Sequence, residues 1–409
     1  MRFRVERDTL TEAVAWVARA LPSRPVLPIL SGLLLSADAD GLTLSCFDYE
    51  VSARIRVAAV TTDPGTVLVP GRLLADITRS LPDFPVEFDD EGPDVALTCG
   101  AASFTLVTLP IEEYPKLPEL PVTAGTVDGG ALAAAIGQVV PAASRDDTLP
   151  ILTGVNVELD GEIMTLAATD RYRLAMRELG WEPAQPDVRS TLLVPAKTLA
   201  DAARMMNPGV PVQVMLRGDG DAGASGWPAL GVAEAGSLRA ADAMIGFECG
   251  GRRLTTRLIA GDFIKYRSRF PGEFGCCGDM PATLLAEAVK RVALVAERGT
   301  PVRLSFEPGK VIIEAGTEGQ ARARETVVAD FEGDVNTIAF SPGWLLDGLG
   351  AAMTAAAASD TAQDADALIR LQFTGPTKPA VITGTKRDRV GSAPDFRYLV
   401  VPQRALTGA

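Results

Sequence analysis

Two pairs of basic residues carry the clearest chemical signal in the chain. Arg72 and Arg79 are seven apart, which places both on one face of a helix, and Lys197 and Arg204 repeat the pair at an offset of 125 residues. Paired cations at matched positions suit a surface that meets a polyanion, and Lys290, Arg291 and Arg298 on a later predicted helix extend the set. The chain as a whole is acidic, with a formal net charge of −13 and a pI near 4.7. That excludes a protein that wraps nucleic acid with its entire surface and leaves room for a local basic face.

Catalytic chemistry has little to build on. There is no histidine, so the commonest general base and the commonest metal ligand are both missing. Cys46, Cys99, Cys249, Cys276 and Cys277 read as reduced thiols; the adjacent Cys276 and Cys277 could pair, but no Cys-x-x-Cys supports a metal site. "GDGDAG" from Gly218 fits G-x-G-x-x-G after a strand-like run, yet "ASGWP" follows where a helix must begin, and Asp219 and Asp221 would repel a pyrophosphate. Read instead as a calcium loop from Asp219, its twelfth position is Leu230 and the bidentate glutamate is lacking. No catalytic, cofactor or metal residue is assigned. The charged N-terminal stretch lacks the apolar core of a secretory signal and no apolar run reaches membrane-spanning length, so the expected location is the cytoplasm.

The elements that must position the basic pairs emerge from a repeat. "LPILSG" at Leu27 returns as "LPILTG" at Leu149, and at the same offset of 122 the helical run Leu10, Ala13, Val14, Val17, Ala18 returns as Leu132, Ala135, Ile136, Val139, Val140. The strand stretch around Asp48 likewise returns around Asp170, an equivalence that makes both aspartates turn residues before catalytic ones. "TVLVPGRLLAD" from Thr66 recurs as "TLLVPAKTLAD" from Thr191, and a Gly/Ala/Asp-rich insertion at about 217–243 lengthens the second copy. A third, weaker copy begins near Asp279, with Gly343 and Gly350 where the basic pair would stand.

Each copy divides into halves of one plan, strand, helix, then three strands, so six β-α-β-β-β units stand in series and the fold class is α+β. Thr9 and Glu12 read as a capping box for the first helix. Proline-rich connectors set borders near 122 and 275, giving domains 1–122, 123–275 and 276–409. The Ala-rich "AAMTAAAASDTAQDADAL" reads as a helix end running into a mobile loop.

Three tandem copies, "LPIL(S/T)G" leading to "ATDRYRLA", an "EEYPKL" connector and a C-terminal "FRYLVVPQR" resemble the bacterial DNA polymerase III β subunits, the sliding clamps, over essentially the whole chain. The resemblance implies a non-catalytic processivity factor: a head-to-tail homodimeric ring of six DNA-clamp domains, strands outside, with twelve helices lining a hole for duplex DNA. Arg24, Arg72, Arg79, Lys197, Arg204, Lys290 and Arg291 would face that DNA without reading its sequence.

The resemblance also implies an apolar groove between the second and third domains for short peptides of the DNA polymerase III α subunit, the clamp loader and repair polymerases. Mapped by motif, it comprises Leu152, then Thr169, Arg171, Tyr172, Arg173 and Leu174, then Leu399, Val400, Val401, Pro402, Gln403 and Arg404. Leu30, the first-copy counterpart of Leu152, would only pack a core. One wall departs from the family pattern. Ile264 stands where the family has proline, Ser268 and Arg269 alter the same wall, and Val401 precedes Pro402 where methionine is usual. These departures raise an alternative, a second clamp copy reshaped to evade a clamp-binding inhibitor; a nuclease and a repeat scaffold binding only proteins are the remaining rivals.

Overall fold

The computed structural model describes residues 1–403 except 91, 119–120, 218–242, 298, 317–320, 335–336, 358–366 and 387–394. The insertion expected at about 217–243, the Gly-Asp stretch from Gly218, Arg298, Arg404 and most of the tail of the Ala-rich run therefore lie outside the described residues.

All six β-α-β-β-β units are present. Their helices are α1 (Arg7–Ala18), α2 (Gly71–Ser80), α3 (Gly129–Val139), α4 (Ala196–Ala203), α5 (Ala282–Val292) and α6 (Pro342–Ala357), each entered from a strand. The Ala-rich run supplies the last turns of α6 before passing beyond the described residues. The capping box at Thr9 and Glu12 does not form. Helix α1 starts at Arg7, because the Leu10 amide donates to the Glu6 carbonyl (3.0 Å) and closes the first turn earlier, and Glu12 is engaged by Arg252 instead.

The repeated "LPIL(S/T)G" phrase folds the same way twice. Pro28–Ser31 and Pro150–Thr153 are one-turn 3-10 helices in which the final hydroxyl donates to the proline carbonyl, Ser31 at 2.6 Å and Thr153 at 2.8 Å. The glycine after each packs closely: a Cβ on Gly32 would lie 2.8 Å from Leu68 and 2.9 Å from the Ile29 carbonyl oxygen, and one on Gly154 would press on Leu193 at 2.7 Å. Leu68 and Leu193 are themselves equivalent at the offset of 125, so the constraint is inherited with the repeat. Leu30 is buried as expected.

Packing follows the sheets more than the copies. One compact unit comprises Met1–Val127 with Arg204–Leu258, the other Asp128–Ala203 with Ile259–Ala409. In the first, a five-stranded sheet runs in the order 60–63, 2–5, 86–90, 94–99, 102–107. A second sheet crosses from one copy to the next where strand 252–257 pairs antiparallel with strand 51–57, Leu254 opposite Ala53. Helices α1 and α2 pack on each other.

In the second unit a nine-stranded sheet runs 189–195, 154–160, 163–169, 173–180, 396–400, 380–386, 367–373, 276–281, 330–332. Its inter-copy seam lies between 173–180 and 396–400, with Arg173 opposite Val400 and Leu174 opposite Leu399. A four-stranded sheet, 322–328, 310–316, 302–307, 337–340, completes the unit, and α6 packs against both α3 and α5. Each copy taken alone would leave the last strand of a half-unit as an open edge, and pairing with its neighbour satisfies that row of amides and carbonyls.

Candidate partner groove and basic surfaces

The groove candidates centre on the turn between strands 163–169 and 173–180. Asp170 closes it: its Oδ1 accepts from the Tyr172 and Arg173 amides, both at 3.0 Å. Thr169 adds a second brace, donating to the Arg173 carbonyl (2.6 Å) and accepting from the Arg171 amide (3.1 Å). Arg171 sits at φ 81°, a left-handed conformation rare for a side-chain-bearing residue, and is exposed. The first copy builds the same turn. Asp48 Oδ1 accepts from Glu50 (3.0 Å) and Val51 (2.7 Å), and Tyr49 takes φ 76°. Both aspartates are therefore turn residues, and the residues after them differ: Tyr49, Glu50 and Val51 in the first copy, Arg171, Tyr172 and Arg173 in the second.

Where the first copy has Val51, the second has Arg173, only 8% exposed. Its Nε donates to Asp170 Oδ2 (3.0 Å), and one terminal nitrogen reaches both Asp347 on α6 and the Tyr398 hydroxyl (3.4 Å). Burial opposes the charge on this guanidinium, but Tyr398, Asp347 and Asp170 more than offset it and hold Arg173 protonated. Burial in turn pushes the Tyr398 phenol well above its usual range, and its hydroxyl donates to the Trp344 carbonyl (2.9 Å). Tyr172 is 48% exposed and stacks on Trp344, ring centroids 5.0 Å apart and planes 15° apart.

The C-terminal segment completes the cluster. From strand 396–400 the chain crosses the turn, the Val401 amide donating to the Tyr172 carbonyl (2.8 Å), and the Gln403 amide then donates to Ala339 (2.8 Å). Leu174 and Leu399 are buried in one apolar cluster with Tyr266, while Val400 is fully buried and Val401, Pro402 and Gln403 are half-buried. The altered wall, Ile264, Ser268 and Arg269, is exposed on the segment around Tyr266, with Phe263 and Phe270 packed against the same cluster. Leu152 is buried at the base of its one-turn helix and offers at most an edge. Trp344, Asp347 and Tyr398 were not anticipated; only Tyr398 had a visible cue, its place within "FRYLVVPQR".

The basic residues divide by environment. In the first unit, Arg19, Arg72, Arg79 and the acidic Asp76 line an open cleft of about 460 Å³ between α1 and α2, with Ala15, Ala18 and Ala75. Arg19 was missed because it has no repeat partner in the sequence. Arg72 also donates to the Pro22 carbonyl (3.1 Å), Arg79 pairs with Asp76 one turn back (3.2 Å), and Arg24 is exposed on the segment after α1. Lys197 and Arg204 do not share a helical face. Helix α4 ends at Ala203, so Arg204 lies beyond its last helical residue. Lys290 is exposed on α5, whereas Arg291 is gripped by both oxygens of Glu325 (2.7 and 2.9 Å) and approached by Glu287 (3.6 Å).

Comparison with known proteins gives this geometry a family. The chain matches the descriptions of the DNA polymerase III beta subunit N-terminal domain over residues 1–118, its central domain over 126–265 and its C-terminal domain over 267–395. The chain belongs to the DNA polymerase III β subunit family. It is 49% identical over 404 residues to the β sliding clamp of Streptomyces coelicolor and 43% identical to the β sliding clamp homolog GriR of Streptomyces muensis, each covering 99% of both chains. Among solved structures it resembles the Bacillus subtilis sliding clamp (TM-score 0.83, 25% identity, 99% of both chains). The Pseudomonas aeruginosa sliding clamp bound to griselimycin is similar at TM-score 0.80 and 26% identity, again over 99% of both. Membership makes this sliding clamp a non-catalytic processivity factor of DNA replication, whose family implies dimerisation and partnership with DNA and a polymerase.

Proposed function

We propose that two copies of this clamp, each with domains bordered near 122 and 275, close head-to-tail into a ring around duplex DNA in the cytoplasm. Arg24, Arg72, Arg79, Lys197, Arg204 and Lys290, with Arg19 added, face the phosphates, and Arg291 contributes less because carboxylates already hold it. Net acidity elsewhere repels DNA from the outer surface, so retention comes from topology and loose phosphate contacts permit sliding. The groove around Tyr172, Arg173, Leu174, Leu399 and Pro402 takes extended peptides from the polymerase α subunit, the clamp loader and repair polymerases.

The observation that carries this reading is the contrast between the two equivalent turns. Only the second joins its aspartate to a nearly buried arginine and through it to Asp347 and Tyr398, an investment that the turn itself, complete in the first copy, does not need. The test is retention on DNA: clamp loaded onto a nicked circle should elute with it and be lost when the circle is linearised. Equal retention on circle and line, or a solution mass of one chain at micromolar concentration, refutes the ring. The exposed departures at Ile264, Ser268 and Arg269 favour a second reading, a groove reshaped against an inhibitor. Ordinary micromolar affinity for a clamp-binding peptide, together with ordinary displacement by griselimycin, removes it.

A further inference from the structure

The exposed wall of the groove is carried by a short elbow, residues 263–270, whose side chains Ile264, Ser268 and Arg269 face solvent. Its regular hydrogen bonding amounts to one turn: the Arg269 amide donates to Tyr266 (2.9 Å), and Phe270 to Arg267 (3.4 Å). Such a segment holds its shape only if something ties it to the sheet. The apolar tie is Tyr266, buried among Leu174 and Leu399, with Phe263 and Phe270 packed against the same cluster. The polar tie is Arg267, which follows Tyr266 in "FIKYR" and was not among the groove candidates.

Arg267 bridges a row of side chains standing across three neighbouring strands. Glu158 lies directly opposite Thr165, and Thr165 directly opposite Glu178, so all three share one face of the sheet. The two carboxylates stand two strands apart, roughly 10 Å, with no cation of their own strands between them. Arg267 fills that gap. One terminal nitrogen donates to Glu178 (2.9 Å), the other to Glu158 (3.0 Å) and to Thr165 (3.2 Å), and the guanidinium lies 5.5 Å over the Tyr266 ring. A planar fork can span two carboxylates in this way; a lysine, a point charge on a flexible stem, can engage one.

We propose that Arg267 is a positioning residue for partner binding: by clamping the elbow onto Glu158 and Glu178 it presets the wall that a peptide meets. The role rests on the groove reading above. Thr165 is four residues from Thr169 along its strand, roughly 13 Å, so Arg267 acts on the peptide through the elbow and not by touching it. Presetting the wall removes an ordering cost that the peptide would otherwise bear on binding.

The full-length chain carrying Arg267→Met or Arg267→Lys tests this, with a paired Glu158→Gln, Glu178→Gln variant that leaves the arginine in place. Amide exchange over 263–270 is read alongside affinity for a fluorescent extended peptide with leucine and phenylalanine anchors. In Arg267→Met, exchange in the elbow should rise while strands 154–160 and 173–180 and the oligomeric mass stay as they are. The peptide should bind about tenfold more weakly, mainly through faster release. The paired glutamine variant should behave alike, and lysine should recover part of both effects. Unchanged elbow exchange overturns the inference, as does faster exchange with affinity within twofold of the unmodified chain. Failure of the unmodified chain to bind the peptide is a separate result: it refutes the groove itself and the role assigned within it.

Discussion

The duplicated turn supplies its own control, and removing its aspartate in each copy should give unequal losses. Asp48→Ala deletes two charge-assisted bonds to backbone amides, at 3.0 and 2.7 Å, and releases Tyr49 from its left-handed conformation. At a partly exposed turn each bond contributes about 1 kcal/mol, so the local cost is about 2 kcal/mol. Asp170→Ala deletes the same pair and also strands the Nε of the nearly buried Arg173, a further penalty of about 2 kcal/mol for an unpaired donor on a charged group. Native-state amide exchange reads each turn separately, which matters in a chain with two compact units where no single unfolding energy is defined. Protection at 49–52 should fall about 30-fold in the first variant and at 171–174 about 1,000-fold in the second. Peptide affinity should drop only in the second. Equal falls in protection, or a double-mutant cycle of Asp170→Ala with Arg173→Met giving coupling below about 0.5 kcal/mol, would falsify the claim that Arg173 depends on its aspartate.

Two further predictions address other regions. Gln138 on α3 is 1% exposed, and neither end of its amide has a partner among the described residues, so Gln138→Met should stabilise the local structure by about 1 to 2 kcal/mol, read as slower native-state amide exchange along α3; faster exchange instead means that a buried water satisfies the amide. In duplex binding across a salt series, Arg19→Ala and Arg72→Ala should each lower the salt slope by about 1, whereas Arg291→Ala, already neutralised by Glu325, should change it far less. Equal slopes for Arg19 and Arg291 would remove the distinction drawn between them.

Much of the fold was legible because each half-unit advertises itself locally. The helical spacing from Leu10 and the alternating strands around Asp48 need no distant partner to be recognised, and their return at a fixed offset gives the order of all six units. Which strand pairs with which was not legible. Strand 252–257 seeks 51–57 some two hundred residues upstream, and nothing in the period of either names the other, so compact units that each take half of the second copy could not be read from the repeat. The helix ends were not legible either: backbone bonding from Leu10 to Glu6 overrode the capping signal at Thr9, and α4 stops at Ala203, one residue short of Arg204. At the groove, "ATDRYRLA" and "YLVVPQ" were readable as motifs. Trp344 and Asp347 were not, since they lie in the most diverged copy, on a helix whose matched positions are glycines.

The two seams show how one repeated scaffold comes to carry two different surfaces. At each seam the strand leaving the aspartate turn pairs with the last strand of a later copy, so the backbone places the first residue after the turn opposite a partner strand: Val51 faces Thr256, and Arg173 faces Val400. A valine there asks nothing of its surroundings. An arginine at the equivalent position, nearly buried, must be neutralised, and it is met by Asp170 of its own turn and by Asp347 on α6. Once that pairing exists, the turn, α6 and the C-terminal strand are bound into one assembly, and the exposed Tyr172 ring is fixed against Trp344 as part of it. Arg173 therefore ties this turn to α6 and to Tyr398, whereas Val51, at the equivalent seam position, has no charge to bring a second element to its turn.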